Sequence, residues 1–228
     1  MDEIAPEDEI AEWSRAQARV IALMEAATDE QVATTVPACP DWTARDLFSH
    51  MVGLGTDVVA GDEPDDHNPD WTAKQVRERE DRSVADLVTE WRETAEPLRA
   101  WMAEHGTRPL GDVIIHEQDL RGALGVSGGQ DTAGIAAIRD RFAPRVGARL
   151  PEGTTLGLVG DTWSWASDGG DPEQADVVLA APDFELARAL LARRSADQLR
   201  SWTRSGDVEP VLDAFATLGA LPEDARHE

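Results

Sequence analysis

The sequence holds a single cysteine, Cys39, among 228 residues. That excludes an internal disulfide and any zinc site built from several thiolates. Cys39 stands between prolines in Val36-Pro37-Ala38-Cys39-Pro40 with no histidine close in sequence, and reads as a small buried apolar residue in a turn rather than a nucleophile. Tyrosine is absent, and the aromatic content rests on eight Trp and four Phe. No apolar run approaches the roughly 20 residues of a membrane span. The acidic stretch Met1 to Asp8 lacks the charged-then-apolar pattern of a secretory leader. A cytoplasmic protein is therefore expected. Basic residues are also scarce: 21 Lys and Arg face 45 Asp and Glu, a net charge of −24. Nucleic acid requires a basic face, so it is not an expected partner. Anionic membranes are excluded on the same ground. The excess acid reads chiefly as solubility.

Hydrophobic residues make up 41% of the chain, enough for a sizeable core. Two composition breaks organise it: Gly61 to Pro69, dense in Asp, Glu, Pro and Gly, reads as a loop, and Gly125 to Asp131 as a helix stop with a flexible link. Before the second break the pattern is helical. Ile10, Trp13, Ala16, Val20 and Met24 recur on one helix face. Thr43 with Asp46 forms a short capping box for a helix running to about Ala60. Ser83 caps a third helix carrying Leu87, Trp91, Leu98 and Trp101, which Pro97 should kink or break. Thr107 and Pro109 open a fourth, ending near Gly125. Ala133 to about Leu150 reads as a connecting helix. Beyond it, strands are expected over 154–159, 161–166 and 176–180, a helix capped by Asp183, and a last helix from Asp207 with Leu218 facing inward. The fold class is α+β: a helical bundle over 1–150, then a small α/β domain over 151–228.

There are five histidines. His227 lies in the tail, His67 in the acidic loop and His105 at a helix end, where a cation suits the helix dipole. His50 and His116 differ. His50 shares its face with Leu47 and Leu54, His116 with Val113 and Leu120, so both imidazoles project from apolar stripes. Asp112 precedes His116 by one helical turn, which places carboxylate and imidazole one above the other. With His50 from a facing helix, this makes two imidazoles and one carboxylate, the pattern of a catalytic zinc site with an open position. Other divalent ions suit the same donors. Asp119 and Asp46 are each spaced to accept the ring N–H of the neighbouring histidine. The competing reading of an Asp-x-x-x-His pair is a surface salt bridge.

The segment Val36-Pro-Ala-Cys-Pro-Asp-Trp-Thr-Ala-Arg-Asp-Leu-Phe-Ser-His50 resembles the opening signature of the mycothiol-dependent maleylpyruvate isomerase family, within the DinB-like metal-binding four-helix bundles. Asp112-Val-Ile-Ile-His116-Glu-Gln-Asp119 is similar to the family's carboxylate-x-x-x-His-x-x-Asp signature, with Asp where the family pattern has Glu. Leu190-Leu-Ala-Arg-Arg-Ser-Ala-Asp-Gln198 and Gly206-Asp207 resemble elements of its small sterol-carrier-like C-terminal domain. The resemblance spans nearly the whole chain.

It implies Zn2+ held by His50, Asp112 and His116, and mycothiol as cosubstrate. A thiol of pKa about 8.5 is mostly protonated at neutral pH, and metal binding deprotonates it. The resemblance also implies an arginine in activity, for which Arg193 and Arg194 are the candidates. Surface ion pairing is the competing role for both. Arg121 and Trp42 are weaker candidates for the cosubstrate pocket. The leading reading is a metal-dependent, mycothiol-using transferase or isomerase acting on a small electrophile. The alternatives are a non-catalytic small-ligand-binding protein and a metal-water hydrolase with Glu117 or Asp119 as base.

Overall fold

The structure, a computed structural model, describes residues 5–64 and 69–227. His67 lies outside them. The chain divides into two compact units, one reaching Gly129 and the other covering Gln130–His227. The division falls in the Gly-rich link and not at residue 150, because the helix over 133–147 packs against helices of the second unit.

In the first unit, α1 (Pro6–Ala26) and the one-turn α2 (Asp29–Val32) lead into a short antiparallel ribbon, β1 (Thr35–Val36) and β2 (Cys39–Thr43). Then come α3 (Ala44–Ala60), α4 (Pro69–Arg77), α5 (Val84–His105) and α6 (Arg108–Leu124). The four long helices α1, α3, α5 and α6 form the bundle, and α4 lies against α3. The capping box read from the sequence, Thr43 with Asp46, is present, and Ser83 caps α5 as expected, in a box completed by Asp86. Pro97 does not break α5, which continues to His105. Thr107 makes no side-chain cap; its hydroxyl bonds Glu9 instead. The bundle core is anchored by Trp91, with Trp13 and Phe48 both edge-on to it at 6.3 and 5.6 Å between ring centroids.

Periodicity did not reveal α4. It is polar on most of its surface and buries Trp71 and Gln75. It approaches α3 closely at Gly53, where a Cβ would stand 2.6 Å from Cβ of Gln75.

The second unit opens with α7 (Ala133–Gly147). Strands β3 (Leu156–Val159), β4 (Ser164–Ala166), β5 (Val177–Ala180) and β6 (Thr203–Ser205) make a sheet of order β4-β3-β5-β6, with β3 and β5 parallel and the other pairs antiparallel. Between β5 and β6 lie α8 (Asp183–Leu190) and α9 (Ala196–Trp202). Asp183 is the first residue of α8, not its cap: its carboxylate accepts from the Thr162 backbone N–H and hydroxyl. The last helix expected from Asp207 is a 3-10 segment, Glu209–Phe215, and Leu218 is exposed. A helical bundle followed by a small sheet unit is the α+β arrangement expected. No described helix is long and apolar enough to cross a membrane.

Candidate metal centre

His50 is carried by α3, and Asp112 and His116 by α6, two helices packed together in the bundle. Their donor atoms all lie within 4.8 Å of one another. Nε2 of His50 is 3.3 Å from Oδ1 of Asp112, and Nε2 of His116 is 3.5 Å from the same oxygen. The two rings stand edge-to-face with centroids 5.3 Å apart. His50 is buried, and the side chains of Asp112 and His116 are only 16% and 14% exposed. The site is thus largely screened from water yet reachable.

The outer nitrogens decide what the inner ones can do. Nδ1 of His50 lies 2.7 Å from Oε1 of Gln75, and Nδ1 of His116 lies 3.1 Å from Oδ2 of Asp119. An amide oxygen and a carboxylate oxygen only accept, so both Nδ1 atoms donate. In the neutral rings, Nε2 then carries a lone pair. Two lone pairs therefore meet one carboxylate oxygen, an arrangement that repels itself unless a proton or a cation lies among the three atoms. The proton affinity of His50 registers this. Burial opposes its charge, but Asp112, through charge and hydrogen bond, together with Gln75 and Asp57, raises its pKa above the usual value. The donors present, two imidazole nitrogens and one carboxylate oxygen, fit a divalent cation such as zinc.

Asp119 stands behind His116 as the spacing suggested, with its side chain fully buried. Asp46 does not stand behind His50. Its Oδ2 accepts from the backbone N–H and the hydroxyl of Thr43 at 3.0 and 2.7 Å, closing the cap of α3. Gln75 takes that place. No charge or ligand chemistry marked it in the sequence.

Trp42 is half-buried, its ring 5.1 Å from that of His50. Cys39, read as a buried turn residue, is half-buried on β2 with its sulfur within 4.8 Å of donor atoms of His116 and Asp119. Arg121 and Glu117 point elsewhere. Arg121 lies about 140° round α6 from His116 and pairs with Glu117 at 3.0 Å. Glu117 also pairs with Arg19 of α1 at 2.8 Å. The buried Glu117 carboxylate is thus fully committed and is no general base. Arg193 and Arg194 belong to the second unit. Arg194 is fully buried and holds Glu185 through Nε and Nη2, at 2.6 and 3.1 Å. Arg193 donates to the Leu191 carbonyl at 3.1 Å.

A helical bundle with two histidines and a carboxylate converging on one point has the layout of bundles that hold a metal ion between facing helices. Residues 13–121, within the first unit, match the family model of the mycothiol maleylpyruvate isomerase N-terminal domain. The chain is similar to two solved structures. One is a histidine-to-alanine mutant of the mycothiol-dependent maleylpyruvate isomerase, at a TM-score of 0.61 and 12% identity, covering 91% of this chain and 96% of that one. The other is the mycothiol-dependent maleylpyruvate isomerase itself, at 0.56 and 12%, covering 83% and 90%. At that identity the likeness establishes the fold. No curated protein matches the chain.

Proposed function

We propose that this protein is a mycothiol-using isomerase that depends on a divalent cation, with zinc preferred, and acts on a small electrophile carrying a double bond next to a carbonyl. The observation that carries the reading is the convergence of Nε2 of His50, Nε2 of His116 and Oδ1 of Asp112, with both Nδ1 atoms turned outward onto acceptor oxygens. Mycothiol comes from the family match and from the named relatives.

His50, His116 and Asp112 would hold the cation, which supplies a positive charge that lowers the pKa of a thiol beside it. Asp119 keeps the His116 ring in one tautomer. Asp112 contributes the negative charge that makes the set selective for a cation over a neutral ligand. Trp42 walls the site against water on the His50 side. The thiolate adds to the double-bond carbon β to the carbonyl, and the π pair passes to the carbonyl oxygen as an enolate. Rotation occurs about the bond that is now single. Collapse of the enolate re-forms the double bond and expels the thiolate, so no protein nucleophile is consumed. A hydrolase reading needs a carboxylate base at the open position. Glu117 is held between two arginines and Asp119 is occupied behind His116, so neither supplies one.

The test is a spectrophotometric isomerisation assay on a cis-configured unsaturated keto acid, with mycothiol and zinc each supplied or omitted. Turnover that requires both supports the proposal. A metal-loaded protein that binds the keto acid but never turns it over points to a small-ligand-binding protein instead.

A further inference from the structure

We infer that Gln75 is a positioning residue: held by Asp57, its amide fixes the tautomer of His50 and keeps Nε2 turned, unprotonated, toward Asp112. The part of this inference that concerns metal affinity rests on the reading above; the tautomer itself does not.

Gln75 is completely buried on α4. A buried amide is costly unless both its ends are bonded, and both are. Nε2 donates to Oδ2 of Asp57 at 2.8 Å, and Oε1 accepts from Nδ1 of His50 at 2.7 Å. An amide can turn over and exchange its ends, but here the far partner forbids it. A carboxylate accepts and does not donate, so the NH2 must face Asp57 and the oxygen must face His50. The tautomer of His50 is therefore dictated two residues away, from Asp57 on its own helix through Gln75 on another.

The backbone of Gln75 is fixed as firmly as its side chain. Its carbonyl accepts from Nη1 of Arg79 at 3.1 Å, and Nη2 of the same guanidinium grips Glu90 of α5 at 2.6 Å. Gly53 provides the space in which α4 reaches His50. Its would-be Cβ falls 2.6 Å from Cβ of Gln75 and 2.8 Å from Nη1 of Arg79. The pair of histidines is thus supported unequally. His116 leans on an anion, Asp119, within its own helix, whereas His50 leans on a neutral amide delivered by a separate helix.

The experiment is long-range 1H–15N correlation on histidine-labelled, chelator-treated protein at alkaline pH, where the imidazoles are neutral, followed by zinc affinity from chelator competition. Wild type should show His50 with its proton on Nδ1. Gln75→Met, which keeps the shape and removes the acceptor, should give a tautomer mixture and a 10–100-fold loss of zinc affinity. Asp57→Asn, whose amide can donate as well as accept, frees the Gln75 amide to turn over and should also give a tautomer mixture. A proton on Nε2 of His50 in the wild type overturns the inference whether or not the variants fold. So does a folded Gln75→Met with unchanged tautomer and affinity. A tautomer change in Gln75→Met with no zinc uptake by either protein upholds the role of Gln75 and removes the metal reading.

Discussion

Nε2 of His50 faces Oδ1 of Asp112 across 3.3 Å, and Nδ1 on the other side of the ring faces Oε1 of Gln75 across 2.7 Å, so the ring proton belongs on Nδ1. A neutral imidazole and an ionised carboxylate have no hydrogen to share there. A proton can join them, and so can a metal ion, and the two compete for the same place.

That competition sets a pH dependence. The pKa of His50 in the metal-free fold is raised, against the opposing effect of burial, chiefly by Asp112. A raised folded pKa means that protonated His50 stabilises the metal-free protein at acidic pH, and that this stability is lost as pH rises through the raised value. Metal shows the opposite trend, because bound zinc requires the neutral ring. Zinc affinity should fall as pH drops, with its midpoint above the ordinary histidine value of about 6.5. Chelator competition across pH measures this; a midpoint well below 6.5 would contradict it.

Gly53→Ala should lift α4 off α3. The added methyl meets backbone-proximal atoms of Gln75 and the Arg79 guanidinium. Overpacking of this kind costs about 1–3 kcal/mol. Urea denaturation reads the loss, and zinc affinity should fall with it because Gln75 is displaced from His50. Full stability in the variant would show that the helices approach less closely.

Arg194→Ala should destabilise the second unit. It leaves Glu185 without the guanidinium that holds it. Breaking such a pair costs about 3–5 kcal/mol when fully buried, and Glu185 is 23% exposed, so a smaller loss, on the order of 2 kcal/mol, is expected here. Circular dichroism during urea denaturation checks it. An unaltered midpoint would release Arg194 for a role in chemistry.

Cys39→Ser should leave zinc stoichiometry unchanged, because the three donors His50, Asp112 and His116 meet without it. A thiolate-to-metal charge-transfer band in the cobalt-substituted protein, lost in the variant, would place the sulfur on the metal.

The sequence made the helix-borne donors legible because their signal is local. Asp112 and His116 share a face by spacing alone, and His50 is marked by the apolar stripe of Leu47 and Leu54. The support around them was less legible. Asp46 satisfies two rules at once, a capping partner three residues after Thr43 and a carboxylate one turn before His50. The cap prevailed because Thr43 offers both a hydroxyl and a backbone N–H. Gln75 left no trace because a glutamine in a short polar helix has no periodicity to betray burial. The approach of Cys39 to His116 is a tertiary fact made by the β1–β2 ribbon. In the second unit β3, β4 and β5 were visible as apolar or alternating runs. The short β6 and the buried commitment of Arg194 depend on partners distant in sequence.

The most direct measurement is metal content by elemental analysis of chelator-treated, zinc-reconstituted wild type beside His116→Ala. The account predicts about one zinc per chain in the wild type and none held stoichiometrically by the variant, with its second unit still folded by circular dichroism. A wild type that takes up no zinc, or a variant that holds as much as the wild type, would contradict it.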